Sequence, residues 1–175
     1  MGSKGANLFD CEIEKGATFS ECRLYRWNLW RCWDKMGPPC VFIGLNPSTA
    51  DERIDDPTIR RCIAFAMGWG YGGLVMLNAY GWRATDPKDM KAQADPIGEY
   101  NDSVIQCVAE GAVVAGGIVI AAWGAHCTEQ RERDVCRLID RPIHCLGRTK
   151  AGRPKHPLYL RADSKPELFW PPAPA

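Results

Sequence analysis

The chain lacks most of the signatures by which a sequence announces its chemistry. Its nine cysteines stand at 11, 22, 32, 40, 62, 107, 127, 136 and 145. No two of them form a C-x-x-C pair, so neither a zinc ribbon nor a redox dithiol is encoded. There is no Gly-rich phosphate loop of the Walker or dinucleotide type and no His/Asp/Glu cluster at metal-ligand spacing. No serine sits in a nucleophile elbow. With three histidines in total, a three-histidine site would consume every one. The expectation is therefore no cofactor and no resident metal. Charge of one sign is lacking too: the formal net charge is +1, which gives no global footprint of a nucleic-acid binder. An odd cysteine count, with no signal peptide and no long apolar span, predicts a reducing, cytoplasmic setting and no membrane partner. Cys40, Cys62, Cys107 and Cys145 lie in apolar runs and read as small core hydrophobes. A cluster held by scattered cysteines is the alternative.

What is present is a set of apolar runs that stop abruptly. Val41-Phe-Ile-Gly-Leu-Asn-Pro-Ser-Thr-Ala-Asp51 reads as a buried strand breaking into a tight turn, with Asn46 at its lip. Leu74 to Asn78, Ile118 to Ala122 and Pro142 to Leu146 read as further strands. Cys22 to Trp33 is dense in aromatics and arginines. It fits either a strand or a helix face by period, and the turn residues that follow favour a strand. Asp56-Pro57 opens a helix, Asp as N-cap and Pro at the first position. Helices follow from about Glu99 to Ala109 and from Cys127 to Ile139, and Ala79 to Met90 reads as a loop. Strands alternating with helices predict an α/β fold of three layers, α/β/α, with a mostly parallel central sheet. Residues 1–20 read as a flexible leader, 21–170 as one domain, and 171–175 as a tail too proline-rich to pack.

In open α/β sheets, ligands sit at the carboxyl ends of strands. Asn46, Asn78, Trp123 and His156 all fall just past such ends. Amide groups, a histidine and aromatics suit a planar, hydrogen-bonding ligand such as a nucleobase. From Arg141 to Arg161 there are six Lys or Arg (Arg141, Arg148, Lys150, Arg153, Lys155, Arg161) and no acid. That stretch is either a solvated loop or a phosphate-facing one around His156. Asn46-Pro47 is equally good turn chemistry, and Asn78 could cap the turn that follows it. His126 and His144 read as structural. Asp51, Asp55 and Asp56 read mainly as capping groups, with Asp51 an alternative base.

At these residues the chain resembles the uracil-DNA glycosylase superfamily. Gly44-Leu-Asn-Pro-Ser48 is similar to its first motif, in the asparagine form of the mismatch-specific branch. Leu77-Asn-Ala79 resembles the strand end that reads the base edge, Trp82-Arg83 the Cys-Arg-Pro element of the thermophilic branch, and Trp123-Gly-Ala-His126 the Leu-Trp-Gly strand end. His156-Pro-Leu-Tyr-Leu160 resembles the second motif, with Leu158 and Tyr159 where the superfamily has Ser and Pro. The five occur in the superfamily's order. More narrowly, Gly-Leu-Asn-Pro-Ser-Thr-Ala-Asp with Asp-Pro-Thr-Ile-Arg-Arg and Arg-Ala-Thr-Asp-Pro resembles a bacterial and phage domain family of unknown function.

The wider resemblance implies a uracil-DNA glycosylase-like fold and hydrolysis of the N-glycosidic bond of uracil or a modified or mismatched pyrimidine. The partner would be single- or double-stranded DNA. Asn46 would position water and His156 would hold the leaving base. Gly44, Leu45, Pro47, Ser48, Asn78, Arg83 and Trp123 would bind the substrate. Arg153, Lys155, Pro157 and Leu160 would meet DNA, Leu160 filling the space left by a flipped nucleotide. One of Phe65, Trp69 or Tyr71 would stack on the base. Two other readings of the same cleft are a non-catalytic nucleobase- or nucleic-acid-binding domain and a nucleotide-processing enzyme.

Overall fold

The computed structural model describes residues 13–170. A seven-stranded mixed sheet forms its centre, in the order β1-β2-β4-β3-β5-β6-β7. The strands are β1 (Glu14–Phe19), β2 (Arg26–Cys32), β3 (Pro39–Gly44), β4 (Gly73–Asn78), β5 (Ile118–Ala121), β6 (Ile143–Cys145) and β7 (Glu167–Trp170). The helices are α1 (Pro57–Gly68), α2 (Pro87–Lys91), α3 (Asn101–Val114) and α4 (Glu129–Leu138).

The expectation of a mostly parallel sheet holds only at its centre. β4, β3, β5 and β6 pair in parallel, while β1, β2 and β7 join antiparallel. The division follows from the connections. α1, α3 and α4 each carry the chain back between parallel strands, whereas the outer strands need no crossover. The leader expected over residues 1–20 is also corrected, because Glu14–Phe19 forms an edge strand. Gly16, opposite Trp30, makes room for the indole: a Cβ there would lie 2.8 Å from the ring. The tail at 171–175 lies outside the described residues. Pro87–Lys91, within the expected loop region, forms the short helix α2, capped by the Asp86 side chain.

Burial on both faces explains why β3 is apolar throughout. Cys40 and Phe42 pack with Ile59, Cys62 and Phe65 of α1. Val41 and Ile43 face the other way, against Ile105 and Ala109 of α3 and Val135 of α4. Cys40, Cys62 and Cys145 are buried as expected, but Cys107 is exposed because it lies on the outer side of α3. At the start of α1, the Asp56 side chain accepts from the Ile59 N–H and Pro57 occupies the first turn. No helix of the described residues is long and apolar enough to cross a membrane.

Taken in chain order, the parallel strands lie second-first-third-fourth across the sheet. α1 returns the chain on one face and α3 on the other, so the crevice opens beyond the carboxyl ends of β3 and β5. An irregularity in β2 shapes its floor. Thr18 pairs with Asn28 and Phe19 with Arg26, leaving Trp27 as the extra residue of a bulge. Trp27 therefore turns to Gly81, Gly98 and Tyr100, and Arg26 to the α1 side, where it donates to the Ala50 carbonyl at 2.7 Å.

Candidate functional site

A cleft of about 680 Å³ opens at these strand ends, walled by the 44–48 turn, the start of α1, the end of β4 and the 155–160 segment. The turn after β3 is fastened to the chain after β4. Ala79 N–H donates to Gly44 O at 2.8 Å, Tyr80 N–H to Leu45 O at 2.9 Å and Ala84 N–H to Pro47 O at 2.9 Å. Gly44 allows a close approach: a Cβ would stand 3.1 Å from Asn78 Oδ1, which would have to give by a few tenths of an ångström.

Asn46 is oriented by its own amide nitrogen. Nδ2 donates to Ala84 O at 2.8 Å and Pro47 O at 3.1 Å. Oδ1, an acceptor, is left without a protein partner among the described residues. Asn78 is held differently: its backbone is clamped and its side chain is not. Asn101 Nδ2 donates to Asn78 O at 3.0 Å, and Arg131 Nε donates to Ala79 O at 2.6 Å. The Asn78 amide nitrogen is buried with no partner. Leaving such a donor bare costs about 1–3 kcal/mol, so a cleft occupant that accepts from it is favoured.

His156 Nδ1 accepts from Leu158 N–H at 3.3 Å, which puts the ring proton on Nε2. Burial lowers its pKa, against the opposing pull of Asp56, so the ring is neutral at pH 7. His144 is lowered for the same reason, burial, against a backbone hydrogen bond to Val119. Both imidazoles bind protons more weakly folded than unfolded. Their stabilising contribution is thus complete above the ordinary value of 6.5 and is lost as pH falls through the folded values. The denaturant midpoint is expected to drop between about pH 7.5 and about pH 5.5, and to drop less in His156→Asn. A flat midpoint would contradict this linkage.

The fold brings together Gly44, Leu45, Asn46, Ser48, Asn78, Trp123, Lys155, His156 and Leu160 around the cleft, and leaves out Pro47, Arg83, Arg153 and Pro157. Pro47 and Pro157 are buried. Arg83 donates to Arg23 O and lies over the Phe19 ring, on the far side of β2. Arg153 is an internal strut, bonded to Cys127 O at 2.5 Å and beside Glu129 and Glu132. Indeed the basic stretch is largely neutralised by acids outside it: Arg141 meets Glu110, Arg148 meets Glu167, and Arg161 meets Asp163 two residues on. Within this stretch the exposed cations without an acidic partner among the described residues are Lys150 and Lys155. Asp51 is occupied too, its Oδ1 accepting from Arg53 and Ile54 N–H; it does not line the cleft.

The aromatics are redistributed as well. Trp123 is 1% exposed; its indole donates to Glu132 at 2.8 Å and meets Phe169 edge-on. Phe65 and Trp69 stack on one another in the core under α1, and Tyr71 packs there as well. None of the three lines the cleft. Besides the buried Trp123, the cleft is lined by Tyr159, which is 84% exposed and has its ring 5.8 Å from that of His156. Leu160 packs onto the α1-side core, and its carbonyl accepts from Arg61, so Leu158 is the exposed leucine of that segment. Sequence reasoning missed Tyr159, Arg26, Asp56, Thr58 and His126, all of which line the cleft.

Residues 26–158 match the model of a family described as "Protein of unknown function (DUF1643)". The chain belongs to this family. The matched span holds Arg26, Asn46, Asn78 and His156, while β1, β7 and Tyr159 lie beyond it. No curated protein and no solved structure matches the chain.

Proposed function

We propose that the cleft receives a nucleobase and that this chain is a DNA glycosylase-like hydrolase of uracil or another modified or mismatched pyrimidine, on a three-layer fold of the uracil-DNA glycosylase type. The observation that carries this reading is the buried, unpartnered Asn78 amide in a cleft that also holds the Asn46 carbonyl oxygen and the His156 Nε2–H. Breaking a base–sugar bond puts negative charge on the base and cationic character on the sugar. A neutral histidine donating from Nε2 stabilises the base oxygen as charge develops there. Asn78 Nδ2 donates to a base carbonyl and so selects the edge. Asn46 Oδ1 accepts from water and aims it at the sugar carbon. Tyr159 covers the base, and Lys155 meets a phosphate.

The second reading, a nucleobase-binding module without catalysis, is favoured by one feature. Asn46 offers an amide, not a proton-accepting carboxylate, and its nitrogen is tied to backbone carbonyls. An amide cannot take the water's proton, so slow turnover is expected even if the enzyme reading holds. Single-turnover base release separates the two. The substrates are single- and double-stranded oligonucleotides carrying uracil, a thymine mismatch or a modified pyrimidine. Release from at least one supports the glycosylase. DNA bound with steep salt dependence but no release from any leaves the binding module. Tight nucleotide binding without salt-sensitive DNA binding would indicate a nucleotide-processing enzyme.

A further inference from the structure

Arg26 is 2% exposed and lines the cleft. A guanidinium so deeply buried ordinarily has its donors bonded and its charge paired. Here Nη1 donates to Ala50 O, Nε is buried without a partner, and Nη2 has none among the described residues. The acids whose charge it feels, Asp56 and Asp51, are beyond ion-pair distance and committed elsewhere, Asp56 to Ile59 N–H and Asp51 to the backbone after it. The β2 bulge aims this side chain to the α1 side. Burial lowers its pKa to about 10, which leaves it cationic at neutral pH.

The Nε–Nη2 edge is the fork that pairs with two oxygens of a carboxylate or phosphate. Arg26, Asn78, Lys155 and His156 bring donors to the cleft; the acceptors there include Asn46 and the Asp56 carboxylate, whose Oδ1 is taken up by the Ile59 N–H. Its volume of about 680 Å³ lies within the range that holds whole small ligands, with room for a base and an attached group. We propose that Arg26 binds an anionic oxygen pair, carboxylate or phosphate, borne by the base or nucleotide in the cleft. This rests on the nucleobase reading of the same site and narrows its substrate class to acidic ligands.

The test is calorimetric titration of the full chain with two matched pairs, thymine against 5-carboxyuracil and deoxyuridine against deoxyuridine 5′-monophosphate. Ribose 5-phosphate serves as a probe without a base. At least one acid is expected to bind about tenfold or more tightly than its neutral partner. The gain should vanish in Arg26→Gln and persist in part in Arg26→Lys. Preference for 5-carboxyuracil would place the anion on the base, and preference for the monophosphate would place it on the sugar. If Arg26→Gln does not fold, the same pairs are compared in Arg26→Lys and in Lys155→Gln, and a gain lost in Lys155→Gln but undiminished in Arg26→Lys would overturn the proposal. Acids no tighter than their neutral partners, a gain unchanged in folded Arg26→Gln, or no binding of any probe would overturn the proposal. Neutral bases that bind without an acid gain would leave the base reading intact while removing this one. Arg26-dependent binding of ribose 5-phosphate without any base binding would remove the base reading, and with it the acidic base or nucleotide as ligand, leaving Arg26 as a plain anion site.

Discussion

Replacing His156 by alanine is expected to slow base release by about 10²–10³-fold, the effect of removing one preorganised donor from a developing oxyanion. The residue's setting makes the expectation specific. Leu158 N–H occupies Nδ1, so the imidazole presents Nε2–H to the cleft in a fixed tautomer. Burial keeps it neutral, and a neutral donor matches the base better as negative charge appears than it does beforehand. The loss should fall on the single-turnover rate more than on ground-state affinity. His156→Gln, which can still donate, should recover part of the rate. Affinity and rate falling together would mean that His156 merely lines the cleft.

Arg31→Met is expected to lower stability by about 1–3 kcal/mol, the cost of leaving buried hydrogen-bond partners unanswered, since Arg31 is buried while its partner Asp55 is partly exposed. Arg31 is 1% exposed. Its guanidinium binds Asp55 at 2.6 Å and donates to Asp51 O and Trp30 O at 2.8 Å each. It thereby fastens the segment between the 44–48 turn and α1 to β2. Methionine fills the space but removes the donors to three carbonyls, Gly16, Trp30 and Asp51, and to the Asp55 carboxylate. Equilibrium denaturation measures the loss, and a midpoint within error of wild type would show that the segment is held by other contacts. Because Asn46 is fixed separately by Ala84 and Pro47, folded Arg31→Met should retain cleft chemistry in proportion to its folded fraction.

The parallel centre of the fold was legible because β3, β4 and β5 are buried on both faces. Val41–Ile43, Leu74–Leu77 and Ile118–Ala121 are accordingly continuous apolar runs. Asp56-Pro57 was legible because capping is local chemistry. The antiparallel edges were not. Glu14–Phe19 and Glu167–Trp170 are short and half-exposed, and they owe their conformation to pairing with β2 and β6, not to their own pattern. The bulge at Trp27 left no signal, and so neither did Arg26. Asn46, Asn78 and His156 could be found because each follows a strand or breaks a turn. Arg153 was misread because its neutralising acids, Glu129 and Glu132, sit on α4, some twenty residues earlier in sequence. Tyr159 could have been noticed as the aromatic three residues after His156, but only the fold distinguishes it from Phe65 and Trp69, which pack under α1.

Titration of ¹⁵N-labelled protein with free uracil, following the side-chain amide of Asn78, tests base recognition most directly. The expected result is a saturable shift of that NH₂ pair and of the His156 ring Nε2–H, abolished in Asn78→Leu. Saturable shifts confined to residues outside the cleft, or binding undiminished in Asn78→Leu, would contradict it.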